Sequence, residues 1–309
     1  MRTEHKTAAD VILPESPACP LNVVLGGAPL LGRVTGIGRY TYELARALVA
    51  SQIIDDLKLW GDLSFLDAGR LKRDDPIGEG PAGLADKKNR ERSGSLAVSA
   101  RGFASRSYYA SIVYQYVSSA MAERRLRPLA DSHLYHSPNF IMPYFDGARV
   151  MTIHDLSTVR FPEFHRKQMV VLCEAGIHLA IEGKAHVITD SFHIRDELVN
   201  DFGVEISRIS TVHLAPDPRC RPRHESECRH ALDALGLSHK AFFLSVGTIE
   251  PRKNLLRVFE AFRAGRRASH FDWPLIVVGA SGWKSSREHE MLDELHKGWV
   301  STLSGLCYR

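Results

Sequence analysis

Two apolar runs that end in glycine and feed helical patterns constrain this chain more than any other feature. Leu21–Gly26 (LNVVLG) leads through a stretch bearing Gly32, Gly36 and Gly38 into Tyr40–Ala50, where Tyr40, Leu44 and Leu48 recur at helical spacing. Phe242–Gly247 (FFLSVG) leads into a segment with Leu255, Val258, Phe259 and Phe262 at i, i+3, i+4 and i+7. Short, continuously apolar strands alternating with helices build parallel sheets, because helices then cover both sheet faces. The rhythm continues in between. Ser132–His136, Arg149–Ile153, His186–Asp190, Ile209–Leu214 and Leu275–Gly279 read as strands. Gln168–Glu182 reads as a helix, and Ser191 caps another that stops at Gly203. The expected fold class is α/β, with two doubly wound, Rossmann-like domains.

Pro216, Pro218 and Pro222 interrupt this rhythm, which places one domain over 21–222 and the start of a second over 223–309. Residues 1–20 are polar, with Pro14, Pro17 and Pro20, and read as a disordered tail. Residues 61–106 carry Asp74-Asp75-Pro76, scattered glycines and the charged run Lys87–Arg92, so they read as a flexible insertion. Tyr108–Arg127 resumes helical spacing and ends in Arg124, Arg125 and Arg127, a basic end that suits either the helix dipole or an anionic lipid surface.

A formal charge of +4 dispersed along 309 residues argues against a nucleic-acid face. Five cysteines form no C-x-x-C pair and read as reduced thiols. Cys220, His224, Cys228 and His230 lack the tight knuckle spacing of a structural zinc site, so no metal is expected there. The N-terminal stretch has no apolar core of a signal peptide, and no run reaches the roughly 18 apolar residues of a membrane span. The expectation is a cytoplasmic protein that can touch the inner membrane surface peripherally.

Three short segments could carry chemistry. In Val246-Gly247-Thr248-Ile249-Glu250-Pro251-Arg252-Lys253-Asn254, a strand runs through glycine toward a helix whose first turn bears Pro251, Arg252 and Lys253. Cations are unfavourable at a helix N-terminus unless an anion sits there. A diphosphate held by Lys253 and free N–H groups fits, and so does an exposed turn with two surface cations. Gly36-Ile37-Gly38-Arg39-Tyr40 permits close backbone approach, although a G-x-G is commonly just a turn, and the dinucleotide fingerprint fails at Thr41. Thr152-Ile153-His154-Asp155-Leu156 ends a strand in His-Asp, and parallel strands deliver side chains at their carboxyl ends, although a lone histidine there is more often a structural one.

Phe242–Leu255 (FFLSVGTIEPRKNL) resembles the opening of the C-terminal domain of retaining glycosyltransferases of family 4, which have the GT-B architecture. The glycine loop at Gly36 and Gly38 and the His154-Asp155 segment resemble the same family's N-terminal motifs, with His136–Asn139, Val187–Ser191 and Leu275–Trp283 as supporting matches in order. The resemblance is to a mannosyltransferase-type branch that builds bacterial surface polysaccharide.

It implies a nucleotide-diphosphate sugar donor such as GDP-mannose, a glycan or lipid-linked glycan acceptor, and no cofactor. It implies donor contacts at Gly36, Gly38, Gly247, Arg252 and Lys253. His154 would position the transferred sugar, and Asp155 would orient the loop or the ring. Many relatives carry arginine where this chain has Thr248, and the family's later paired-glutamate motif is absent from Glu288, Glu290 and Glu294. A C-terminally shortened, impaired enzyme is therefore expected. Alternatives are an inactive acceptor-binding remnant or a Rossmann oxidoreductase.

Overall fold

The computed structural model describes residues 20–31, 36–51, 53–68, 108–217, 220–295 and 300–303. The segment 1–19, residues 69–106 of the expected insertion, Gly32 and the last six residues lie outside them. Contacts divide the chain into two units, Met1–His154 with Gly176–Thr211, and Asp155–Ala175 with Val212–Arg309. The sequence places one boundary near Pro222. The contact division falls instead between Thr211 and Val212, and it assigns the excursion Asp155–Ala175 to the second unit.

The first unit is a seven-stranded sheet in the order β3-β2-β1-β4-β5-β6-β7. Its strands are β1 (Leu21–Gly26), β2 (Ile54–Trp60), β3 (Phe65–Leu66), β4 (Leu134–Ser137), β5 (Arg149–Ile153), β6 (His186–Thr189) and β7 (Ile209–Thr211). All neighbours are parallel except β3, a short antiparallel edge formed by residues that the sequence assigns to the insertion. From β1 the chain passes to β2 on one side and returns as β4 on the other. The carboxyl ends of β1 and β4 thus flank a topological switch point, where doubly wound sheets open a crevice.

Helix α1 (Gly36–Ala50) begins earlier than the glycine-loop reading predicts, so Gly36 and Gly38 occupy its first turn. Its buried stripe is Gly38, Thr41 and Ala45, small side chains that let the helix lie close to the sheet. Thr41 can be buried because its hydroxyl donates to the Ile37 carbonyl at 2.8 Å. Val23, Leu25, Leu30, Ala45 and Leu59 form the core beneath, with Leu44 and Leu48 packed at its margin.

Three further helices are α2 (Tyr108–Leu126), the short α3 (Ser157–Arg160) and α4 (Lys167–Glu182). Gly176 in α4 is required by packing, since a Cβ there would lie 1.6 Å from the Phe140 carbonyl oxygen. Helix α5 (Phe192–Phe202) is bounded as its sequence predicts: Ser191 Oγ accepts from the Ile194 N–H at 3.3 Å, and Gly203 closes it at φ +65°.

The second unit contains α6 (Glu225–Asp233), β8 (Phe243–Val246), α7 (Leu255–Arg267), β9 (Leu275–Val278), α8 (Ser286–Leu295) and β10 (Val300–Leu303). Its strands are parallel in the order β10-β9-β8. Leu255, Phe259 and Phe262 of α7 and Leu292 and Leu295 of α8 bury against Leu275 and Val277. Truncating the fully buried Phe259 to alanine removes about 3–5 kcal/mol by cavity arguments. The excursion 155–175 is tied into this unit by polar contacts: Trp283 Nε1 donates to the Phe164 carbonyl at 2.7 Å, and Lys284 Nζ to the carbonyls of Glu163 and His165 at 2.7 and 3.1 Å. The cysteine–histidine segment before β8 is a helix start: the His224 side chain caps α6, and Glu227 returns to the His224 N–H at 2.9 Å.

Candidate active site

In the first unit, β4, β5 and β6 are adjacent, and each is followed at once by a polar group: the Pro138 carbonyl, His154 and Asp190. The register pairs Ile153 with Thr189, so the next residues, His154 and Asp190, stand side by side. His154 Nδ1 lies 2.7 Å from Asp190 Oδ2, and Nε2 lies 3.0 Å from the Pro138 carbonyl oxygen. The ring meets Tyr40 of α1 in a T-shaped contact, 4.7 Å between centroids.

Beneath the pair, the Thr152 hydroxyl receives two neighbours, His136 Nε2 at 2.9 Å and the Tyr40 hydroxyl at 3.1 Å. Burial, with a smaller push from His154, lowers the His136 pKa to about 4, so this imidazole is neutral near pH 7. Its free lone pair can accept the Thr152 proton, which leaves Tyr40 to donate to Thr152. Burial also raises the Tyr40 phenol above its usual range, against the Thr152 bond and with the help of Asp190.

The sequence pairs Asp155 with the loop or the ring, and the structure assigns it to the loop. Asp155 Oδ1 accepts from the Ser157 N–H at 2.9 Å and starts α3, whereas the carboxylate on the ring is Asp190. Burial acts to raise the Asp155 carboxyl, but the bonds from Ser157 and the charges of Arg252 and His165 outweigh it and hold it below the usual carboxylate range.

The second segment, at the carboxyl end of β8, differs from its sequence reading in one respect. Pro251–Lys253 is a separate single turn, and Asn254, at φ +53°, breaks the chain before α7 begins at Leu255. The basic pair is therefore not in the first turn of the long helix. The N–H groups of Lys253 and Asn254 are used within the turn, bonding to the carbonyls of Glu250 and Pro251.

Arg252 is also engaged. Its Nη2 lies 2.9 Å from Oε1 of Glu250, which is 2% exposed. Lys253 is exposed. Gly247 takes φ +149°, a conformation that side chains rarely adopt, with open space where a Cβ would be. Gly36 likewise has nothing within 4 Å of that position, so packing in this structure does not dictate it.

One group of residues escaped the sequence reading. At the carboxyl ends of β1, β2 and β4 a cavity is lined by Gly26, Trp60, Asp62, Ser118, Asn139 and Met142, among others. Asp62 sits at φ +65° and accepts from the Tyr114 hydroxyl at 3.1 Å. Its signal was a lone acid just past a strand whose apolar residues, Leu57, Leu59 and Trp60, are interleaved with Asp56 and Lys58. Among the described residues no His/Cys/Asp/Glu group could hold a metal, and no helix is long and apolar enough to cross a membrane.

The first unit is a mostly parallel sheet with polar groups gathered at its carboxyl ends, and the second a parallel unit opening on a glycine turn with an exposed lysine; each is α/β and Rossmann-like, and the chain is similar to glycosyltransferases of the GT-B class. Over 284 residues, 92% of this chain, it is 28% identical to O-antigen chain mannosyltransferase B of Escherichia coli, 71% of which the match covers. The fold is similar to that of Anabaena HepE solved with UDP-glucose, at 13% identity and a TM-score of 0.51 over 91% of this chain and 68% of that one. HepE solved with UDP and glucose gives 13% identity and 0.50, over 92% and 69%. No protein-family model matches the chain.

Proposed function

We propose that this chain transfers a hexose, mannose in the first instance, from a nucleotide-diphosphate donor such as GDP-mannose to a glycan or lipid-linked glycan acceptor, with retention of anomeric configuration. The observation that carries the reading is the turn after β8, where Gly247 leaves open backbone and Lys253 presents an exposed ammonium while Glu250 occupies the neighbouring Arg252. The likeness to a mannosyltransferase supports the choice of sugar.

In the reaction, the bond from the anomeric carbon to the β-phosphate oxygen breaks, a bond to the acceptor oxygen forms on the same face, and the acceptor proton passes to the leaving phosphate. Lys253 stabilises the charge that develops on that phosphate. Arg252 supports the turn through Glu250, Gly36 leaves room for close backbone approach whereas Gly38 is buried against the sheet, His154 hydrogen-bonds the sugar, and Asp155 holds its loop. The cavity at the carboxyl ends of β1, β2 and β4 offers Asp62, Ser118 and Asn139 as polar groups to which an acceptor hydroxyl can bond.

The test is binding and transfer by the 309-residue chain with GDP-mannose, UDP-glucose and a lipid-linked acceptor. Binding of GDP-mannose and formation of an α-linked product from an α-linked donor are expected. Acceptor binding with no affinity for any nucleotide sugar would instead establish a binding protein.

A further inference from the structure

The three groups that follow β4, β5 and β6 do more than bring a histidine to the surface of the sheet. His154 and Asp190 are 14% and 18% exposed, so their contact at 2.7 Å is little screened by solvent. The other ring nitrogen faces a backbone carbonyl, which can only accept, so the bond at 3.0 Å requires a proton on Nε2. Nδ1 faces Asp190 Oδ2, and rotating the ring would lose both bonds. Tyr40 packs on the ring from α1, and its own hydroxyl is anchored to Thr152.

We propose that Asp190 is a positioning residue: it fixes the His154 ring so that Nε2–H points at the Pro138 carbonyl, and a sugar hydroxyl sits beside the pair, sharing the Nε2–H and donating to the second lone pair of the carbonyl oxygen. A hydroxyl suits this edge chemically, because it accepts from Nε2–H while donating to the carbonyl oxygen. A deoxy or O-methyl sugar at that position cannot do both. The inference rests on the proposed sugar contact of His154 and adds the residue that orients it and the ligand group that it reads.

The experiment combines ring ¹⁵N spectra of histidine-labelled full-length chain, assigned with His154→Gln, and kinetics of Asp190→Asn and Asp190→Glu. A proton on Nε2 of His154 is expected in the wild type, and Asp190→Asn should change the Nδ1 signal. Removing a charge-assisted bond of this kind predicts a fall in kcat of roughly tenfold or more with acceptor KM within about twofold, and partial recovery in Asp190→Glu. An unchanged Nδ1 signal together with unchanged kcat in Asp190→Asn overturns the proposal. Should that variant not fold, the wild-type spectrum decides, and an Nε2 without a proton overturns it. If the wild type transfers no sugar, the proposed function fails while the ring spectra still judge the role of Asp190.

Discussion

Gly247 and Gly279 lie backbone against backbone at the carboxyl ends of β8 and β9, and a Cβ on Gly279 would stand 1.8 Å from the Gly247 carbonyl oxygen. The two loops that follow stay zipped together: the Gly247 N–H donates to Val278, Ile249 to Ala280 and Gly282 to Ile249, each at 2.9 Å. The turn that presents Lys253 is therefore built on a contact that only glycine permits. Gly279→Ala should destabilise the second unit by about 1–3 kcal/mol, read as an earlier urea midpoint, because backbone cannot yield as a flexible side chain can. Retention of the wild-type midpoint would show that the loops part easily.

Arg252 and Lys253 are neighbours with separable consequences. Arg252 is paired with a carboxylate that is 2% exposed, so Arg252→Ala leaves Glu250 buried without its partner, and a loss of about 3–5 kcal/mol is expected in denaturant titration. Lys253 is exposed, so Lys253→Ala should leave the unfolding midpoint in place and weaken donor binding by roughly tenfold or more in calorimetry. Equal effects of the two substitutions on donor affinity, with none on stability, would reverse this assignment.

His136 gives the first unit a defined response to acid. Its ordinary value is near 6.5, and burial lowers the folded value to about 4. Between these two values the unfolded chain binds a proton that the folded chain does not, so stability rises with pH across that window and is lost as pH falls through it. The shift corresponds to about 3 kcal/mol. His136→Gln should flatten the dependence of unfolding free energy on pH between about 4 and 6.5, and an unchanged slope would locate the acid sensitivity elsewhere.

Gly176 tests the packing of α4 on the segment after β4. A Cβ would lie 1.6 Å from the Phe140 carbonyl oxygen, so Gly176→Ala should lower Tm measurably, with about 1–3 kcal/mol lost. Gly36→Ala is the matched control in the same unit, since nothing lies within 4 Å of its Cβ position, and it should fold as the wild type does. If Gly36→Ala keeps its stability and loses donor affinity, the added methyl group reports directly on close ligand approach.

Where the information is local, the elements were legible from the residues alone. Continuous apolar runs set β1, β5, β6 and β9, Ser191 and Gly203 bound α5, and the periodicity of Leu255, Phe259 and Phe262 set the buried face of α7. The sequence reading passed over β2, because Asp55, Asp56 and Lys58 break the apolar run of a strand that lies next to the sheet edge and buries mainly Leu59 and Trp60. It also ran Pro251–Lys253 into α7, since the left-handed backbone of Asn254 leaves no mark that an ordinary asparagine would not.

The partners within the site follow from strand order and register. His154 is adjacent to Asp155 in sequence but bonded to Asp190, 36 residues away, because parallel pairing of β5 with β6 aligns the residues just beyond their ends. Arg252 is withdrawn from the pair of cations because the fold buries Glu250 beside it. Spacing along a chain fixes which residues share a strand or a helix face; strand order and register fix which charges and ring nitrogens meet.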